Sequence, residues 1–538
     1  MSFREEEENI IKDFIEINFN LAIDLGRYRH IIDTLPLTEE EEEKKAKISE
    51  IKTRLSNMDL SGLNLRSEVA GKSALDYADL IQFKISEMDE KGRSFWDPRK
   101  LYNSLFVVIY SPDLNDETRN NLLRKLIEKI PGYLDTEISC NSEIILRKAL
   151  EECEKLETLL GSLREILEKT SLDTNLKGEL NEERKSAMKV ISEYRKNLKK
   201  HSPDLPLVPI GEDLLNHLFQ LEGVDCNVSG LEKRAKNLLR NSRRRMREQA
   251  DEMGGGDGVS GSLKHINNQP PYERNGMENW YKKAASKGKE YLIERILMDV
   301  PKDEEVKIVF NERSGWNRQP KIRYYPSPRL RNSEKALASI IFDKSGVENE
   351  NWLSHWQIQL QTMKEFYPGV HMIYCRQSIE DHPLFALSKS LPILGGWSLY
   401  APELMERYEF KEAPEMRFVR AKSIYDEASL TIAGLKLAGG QMDFEDSLSY
   451  LIDSTGKSSR EAIDELVYSV LRPSRLLYLR GRELLEELKE EVEWEMGGGF
   501  SDRYFHNTVT DKGPLRYDSL RELVLAEAKG AADSHRGE

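Results

Sequence analysis

The chain has 538 residues, 39% of them hydrophobic and 32% charged, with a formal net charge of −14. That length allows a large core and two or three domains, and the density of charge fits a helix-rich protein with extensive solvated faces. The acidic balance disfavours general affinity for nucleic acid or anionic membranes, although it permits a local basic patch, and no apolar run is long enough to span a bilayer.

The N-terminus, Met1-Ser2-Phe3-Arg4 followed by Glu5 to Glu8, lacks the apolar run of a signal peptide. Cys140, Cys153, Cys226 and Cys375 form neither a disulfide framework nor a C-x-x-C clip. A cytoplasmic, reduced protein is the expectation. Ile10, Ile11, Phe14, Ile15 and Phe19 then mark an apolar stripe near helical period. Glu39 to Glu43 with Lys44, Lys45 and Lys47 open a helix rich in i,i+4 charge pairs. Leu156, Leu159, Leu160, Leu163, Ile166 and Leu167 form another stripe, and the heptad breaks too soon for a coiled coil, so bundle packing is expected. A loop from Ser202-Pro203 to Pro209 closes this N-terminal helical region, taken as residues 1–205.

The middle region, 206–345, carries a basic helix over 233–247 with Lys236, Arg240, Arg243, Arg244, Arg245 and Arg247. It reads as a solvated face or as a site for a polyanion, and no interleaved aromatics accompany it for base stacking. Met253 to Ser262, with five glycines, reads as a flexible linker, and it lacks the Lys-Ser/Thr ending of a phosphate-binding loop. Glu278 to Leu297 reads as helix, followed by three short strands at Val306–Asn311, Pro320–Pro326 and Leu337–Asp343. Turn residues around Gly315 and Pro320 suggest a hairpin between the first two strands, and an edge strand there could hold an extended peptide. From Trp352 the pattern is again helical, with Gly497-Gly498-Gly499 ending a helix around Leu484 to Trp494. The expected fold class is therefore mostly α, with a small β-sheet inserted ahead of a C-terminal helical region, 346–538.

The stretch with most chemical content is Lys364-Glu365-Phe366-Tyr367-Pro368-Gly369-Val370-His371. A helix-borne zinc motif needs neutral imidazoles facing the metal and a carboxylate to activate its water. Here one carboxylate, a Pro-Gly pair and one His remain. Lys364 stands where a first His would be, and an ammonium has no lone pair to donate.

From Trp352 to Val524 the chain resembles the domain of unknown function eight-eight-five family, whose zincin-like members carry His-Glu-x-x-Pro-Gly-His-His. Glu365, Pro368, Gly369 and His371 match it, while Lys364 and Val370 replace two histidines. The family's Glu-Gly-Trp-x-x-Tyr-x-Glu reads here as Gly395-Gly396-Trp397-Ser398-Leu399-Tyr400-Ala401-Pro402, so the glutamate expected as a further zinc ligand is Gly395. The Asp-x-Gly-x-His segment falls at Ala433 to Lys436, with Lys436 at the histidine position. In the Arg-Tyr-x-x-x-Pro-Gly-Gln-x-x-x-Tyr segment only Pro473 is kept, and Tyr478 arrives one residue early. Phe505-His506 and Gly513-Pro514-Leu515 match the closing elements. The resemblance thus implies a large zincin-like helical scaffold that has kept its structural positions and lost its metal ligands at 364, 370 and 395.

The expected function is a catalytically degenerate metallopeptidase-like protein that binds a peptide or small ligand in the inherited cleft or acts through partners. Its remnant catalytic candidates are Glu365, His371, Tyr478 and His506. No cofactor is expected; zinc belongs to the alternative, an active hydrolase with a rearranged site. Each candidate also has an ordinary structural reading: Glu365 in an ion pair, His371 as a satisfied core histidine, Tyr478 as a buried tyrosine. Cys375, four residues after His371, would share its face on a continuing helix and could form a dyad with it, or it is an inert core thiol. His355 and His382 are further histidines that a fold could bring back to the motif. A third reading is polyanion or nucleic-acid binding through helix 233–247. Substrate and oligomeric state are not encoded legibly.

Overall fold

The computed structural model describes residues 3–27, 41–58, 64–89, 98–134, 142–168, 174–200, 209–254, 258–269, 274–312, 320–328, 330, 335–342, 353–378 and 382–536. Helices dominate. The N-terminal part contains α1 (Phe3–Ile17), α2 (Phe19–Asp24), α3 (Glu41–Ser56), α4 (Leu65–Phe83), α5 (Pro98–Tyr110), α6 (Asp116–Leu134), α7 (Glu143–Glu168) and α8 (Thr174–Lys200). Ile10, Ile11, Phe14 and Ile15 are all buried on α1, as are Leu156, Leu160 and Leu163 on α7, which packs between α5 and α8. Full burial of each such side chain contributes about 1.5–3 kcal/mol, so these stripes anchor the bundle. The loop expected over 202–209 lies outside the described residues except for Pro209.

The next elements are α9 (Glu212–Leu221), α10 (Val228–Glu252), α11 (Gly258–Asn267) and α12 (Arg274–Glu294). The linker expected over 253–262 is corrected here: α11 begins at Gly258, and burial of Ser262 and Ile266 gives this short helix the tertiary contact that composition concealed. Three strands follow, β1 (Glu305–Glu312), β2 (Lys321–Tyr325) and β3 (Lys335–Phe342), in the order β1-β3-β2. β1 runs parallel to β3, with Glu305 opposite Lys335, and β2 runs antiparallel to β3, with Lys321 opposite Ile341. The expected hairpin between β1 and β2 therefore does not form. β3 is buried from Ala336 to Phe342, and a strand covered on both faces takes the centre of the sheet.

The C-terminal part contains α13 (His355–Glu365), α14 (Val370–Arg376), α15 (Leu391–Arg407), α16 (Pro414–Ala438), α17 (Phe444–Thr455), α18 (Ser459–Leu471), α19 (Tyr478–Met496), α20 (Asp502–Lys512) and α21 (Tyr517–Arg536). Capping boxes open α13 (Ser354 with Gln357) and α18 (Ser458 with Glu461), each satisfying two N–H groups that a helix start leaves without partners. Gly497, with φ of 53°, ends α19. α15 and α19 cross glycine on glycine: a Cβ at Gly396 would fall on the Gly481 backbone, and one at Gly481 on the Pro392 carbonyl. The main apolar core includes residues from Ile10 to Ala528, drawing on the N-terminal, middle and C-terminal segments alike.

Candidate functional site

The motif is split between two helices. α13 ends at Glu365, the chain turns through Phe366 to Gly369, and α14 starts at Val370. The turn needs a glycine at 369, because a Cβ there would meet the Lys364 backbone. Trp397, fully buried on α15, clamps it by donating its indole N–H to the Pro368 carbonyl at 2.8 Å. Glu365 and His371 thus lie on separate helices.

His371 is fully buried, and both of its ring nitrogens are engaged. Nε2 lies 2.5 Å from Glu304 Oε2, and the Tyr324 hydroxyl is 2.9 Å from Nδ1. Tyr367 and Lys289 also donate to Glu304. Burial alone would raise the Glu304 pKa, but the hydrogen bonds from His371, Lys289 and Tyr367 win and hold it down at about 2. Ionised Glu304 can only accept, so Nε2 of His371 carries the proton and Nδ1 accepts from Tyr324. This network fastens the sheet to the motif. It also leaves His371 without a free nitrogen to serve the Cys375 thiol, which lies 3.7 Å from the Met372 carbonyl.

His506 is equally enclosed. Its Nδ1–H donates to the Leu297 carbonyl at 3.1 Å, and Nε2 accepts from the Tyr400 hydroxyl at 2.9 Å. Burial lowers its pKa to about 4, so the ring is neutral at pH 7. The kept residues Gly396, Trp397 and Tyr400 therefore have packing roles: helix crossing, turn clamp and histidine partner. His382 is held by Ser67 and Glu7, and His355 packs between Trp280 and Trp356 at the far end of α13, about 15 Å of helix away from Glu365.

Glu365 and Tyr478 are placed differently. Both are partly buried. Burial raises the Glu365 pKa to about 7 against the lowering effect of adjacent Lys364. Lys364 in turn is lowered by burial, supported by Glu427 and Glu365, and pressed down by Arg475 and Lys457. Among the described residues its ammonium donates to Ser423 Oγ on α16 at 3.3 Å. The surrounding cations have partners of their own: Arg475 grips Glu427 with both guanidinium arms, Lys457 meets Glu465 at 2.6 Å, and Lys422 meets Asp426 at 2.6 Å. Lys364, Glu365 and these charged neighbours thus gather where α13, α18 and the turn carrying Arg475 pack on α16.

Gly395 is explained by Tyr478. A Cβ on residue 395 would fall on the Tyr478 ring, well under 3.0 Å from its carbons. Arg475 lies over that ring, 4.9 Å from its centre. The space that a glutamate at 395 would need is thus filled by an aromatic ring.

These residues do not fit a zinc ion. Lys364 cannot ligate, Val370 has no donor atom, Gly395 is backed by a ring, and His371 has both nitrogens engaged. Among the described residues no group of three or more His, Cys, Asp or Glu side chains gathers in a metal-holding arrangement. Sequence reasoning missed Glu304, Glu427, Lys457, Glu465 and Tyr324. Lys457 and Glu465 lie eight residues apart on either side of a helix start, and Glu304 adjoins a predicted strand, so no local spacing announced them. Arg475 was visible only as a departure from the family's Pro-Gly-Gln.

On the basic helix, Leu231, Ala235, Met246 and Ala250 are buried, and α10 packs along α16. Arg240, Arg243, Arg244, Arg245 and Arg247 are exposed, with Arg244 pairing to Glu248. No helix among the described residues is long and apolar enough to cross a membrane.

A mostly helical protein with a three-stranded sheet, tied to the motif through the bond between Glu304 and His371, is the class this architecture defines. Residues 21–524 match the family described as "Bacterial protein of unknown function (DUF885)", and the chain belongs to that family. The match reaches well beyond the 352–524 segment that carries the motifs. Two solved structures are similar across the whole length. One, titled a putative lipoprotein from Colwellia psychrerythraea, has 14% identity and a TM-score of 0.80 over 98% of this chain and 99% of that one. The other, titled a putative lipoprotein of unknown function from Shewanella oneidensis, has 16% identity and a TM-score of 0.69 over 98% and 100%. At these identities the likeness concerns the fold. No curated protein matches.

Proposed function

We propose that the chain is a catalytically degenerate, metallopeptidase-like member of its family that binds a peptide or small ligand in the cleft inherited with the motif, or acts through partners. The observation that carries this is the coincidence at one place of a lysine, a valine and a ring-backed glycine where the resemblance puts metal ligands. Glu365 and Tyr478, both partly buried beside these positions, are the polar groups of the motif best suited to meet a ligand. Elemental analysis of protein purified without a tag or chelator tests the metal half. Less than about a tenth of a zinc per chain supports the proposal, and near one per chain defeats it.

A second reading is an active hydrolase with a rearranged site. It draws on one observation, the Glu365 pKa of about 7, which suits a general base at neutral pH. Turnover of a peptide or ester library, abolished by Glu365→Gln with folding intact, would favour it. On location, the cytoplasmic expectation stands against the word lipoprotein in both titles. Fractionation of the producing cells decides between them: recovery with the envelope favours an anchored protein, and recovery in the cytosol favours the first expectation.

A further inference from the structure

We propose that the exposed face of α10 docks on the anionic headgroup surface of a lipid bilayer, lying flat on it without inserting. The inference is independent of the motif and of the ligand reading above. Between residues 233 and 247 the chain carries eight lysines and arginines and no aspartate or glutamate, against a formal net charge of −14 for the whole chain. A cluster of that size on one amphipathic helix is a recognised footprint of contact with anionic lipid.

The helix sorts these charges by face. Leu231, Ala235, Ser242, Met246 and Ala250 are buried, and Ala235 packs with Ala428 and Ile432 of α16. Lys233, Lys236, Arg240, Arg243, Arg244 and Arg247 are all exposed. With about 3.6 residues per turn, these six share an arc of roughly 100° and span about 21 Å along the axis, on the side away from the buried stripe. Lys236 meets Glu232 at 2.7 Å and Arg244 meets Glu248 at 3.7 Å, exposed i,i+4 pairs that hold their cations only weakly. Among the described residues Lys233, Arg243 and Arg247 make no ion pair, and Arg240 reaches Asn237 instead of a carboxylate. Like charges three and four residues apart repel, and an anionic surface relieves that repulsion.

A bilayer surface suits this row better than nucleic acid does. α10 carries no aromatic residue, so it offers a single strand no ring on which to stack bases. A duplex admits a helix into its major groove, about 12 Å wide, and α10 cannot enter unaccompanied, because α16 lies along it and α11 packs on it. A flat surface asks for neither. Among the described residues the exposed large hydrophobic side chains are Leu176, Ile293, Ile296 and Trp494, none of them on α10. Nothing on the row is therefore suited to enter the hydrocarbon, and the contact is electrostatic. Arginine supplies four of the six cations, and its planar fork matches a headgroup phosphate. The acidic remainder of the chain turns α10 towards an anionic surface and keeps the affinity modest.

The test is co-sedimentation of the full chain with phosphatidylcholine vesicles, with and without about a third phosphatidylglycerol. Supporting results are binding to the anionic vesicles alone, and its loss as salt rises from about 0.05 M to about 0.5 M. Each cation near such a surface is worth about fivefold, so the triple variant Arg240→Gln, Arg243→Gln, Arg247→Gln should bind about a hundredfold more weakly. These side chains are exposed, and the urea midpoint should stay at its wild-type value. A control that removes the same charge from exposed positions on α8, Lys185→Gln with Lys189→Gln and Lys196→Gln, should bind within about twofold of wild type. Equal weakening in the control would assign the effect to net charge and overturn the inference, as would failure to sediment with anionic vesicles at low salt. A mixed-sequence DNA duplex bound more tightly than the vesicles, through the same arginines, would also overturn it and give the face to nucleic acid.

Discussion

Substituting Gly395 by alanine tests the claim that the ring of Tyr478 fills the space once open to a longer side chain. In an exposed helix the change would stabilise by about 0.8–1 kcal/mol through helix propensity. Here the new Cβ would overlap ring carbons of a side chain that also packs against Arg475. α15 and α19 are also in backbone contact one residue away, where Gly396 meets Gly481, so they cannot separate without disturbing both contacts. Overpacking of this kind costs about 1–3 kcal/mol, and the rigid seat places it at the upper end, leaving a net loss of about 2 kcal/mol. Tyr478→Ala alone should cost about 3–5 kcal/mol by leaving a cavity. In the double variant the alanine at 395 has room, so the overpacking of about 3 kcal/mol disappears and the pair should be about 3 kcal/mol more stable than the sum of the singles. Urea unfolding followed by tryptophan fluorescence reads all three. A Gly395→Ala midpoint equal to or above wild type, or strictly additive singles, refutes the packing argument.

Other expectations concern the buried titrating groups. The His506 pKa is depressed to about 4, so the unfolded chain binds more protons between about 4 and 6.5 and stability should fall as pH drops through that window. The full effect is about 3 kcal/mol, and His506→Gln should flatten it in urea midpoints taken from pH 4 to 7. Glu365 has the opposite sign: its pKa is raised to about 7, the folded chain binds more protons between about 4.5 and 7, and stability should fall as pH rises through that range. Glu365→Gln should therefore be more stable than wild type at pH 8, by at most about 3 kcal/mol. A wild-type advantage at pH 8 would mean that Glu365 has an ion-pair partner. Glu304→Gln removes the ionised acceptor shared by His371, Tyr367 and Lys289 and should cost about 3 kcal/mol, seen as a lowered midpoint and faster proteolysis. Prolonged dialysis against chelator should leave the thermal midpoint unchanged, and a fall of several degrees would point to a structural metal.

The sequence by itself determined the helical stripes, the three strand positions and the family, and it placed a lysine at 364 and a valine at 370. These are local properties, carried by periodicity or by residue identity at fixed spacing. It also suggested that Gly395 had lost a ligand, without showing why a glycine suits the place. Tertiary structure alone decided the rest. β3 took the centre of the sheet because it is covered on both faces, which turn chemistry around Gly315 does not report. α11 formed within a glycine-rich stretch because Ser262 and Ile266 found a buried surface. His371 was drawn to Glu304, sixty-seven residues earlier in the chain, and His506 to Tyr400 and Leu297. Lys364 came to face Glu427 on α16 and Arg475 in the turn before α19, and that arginine lies over the Tyr478 ring. Each of these depends on long-range partners, and a single chain without its folded contacts gives no spacing from which they can be read.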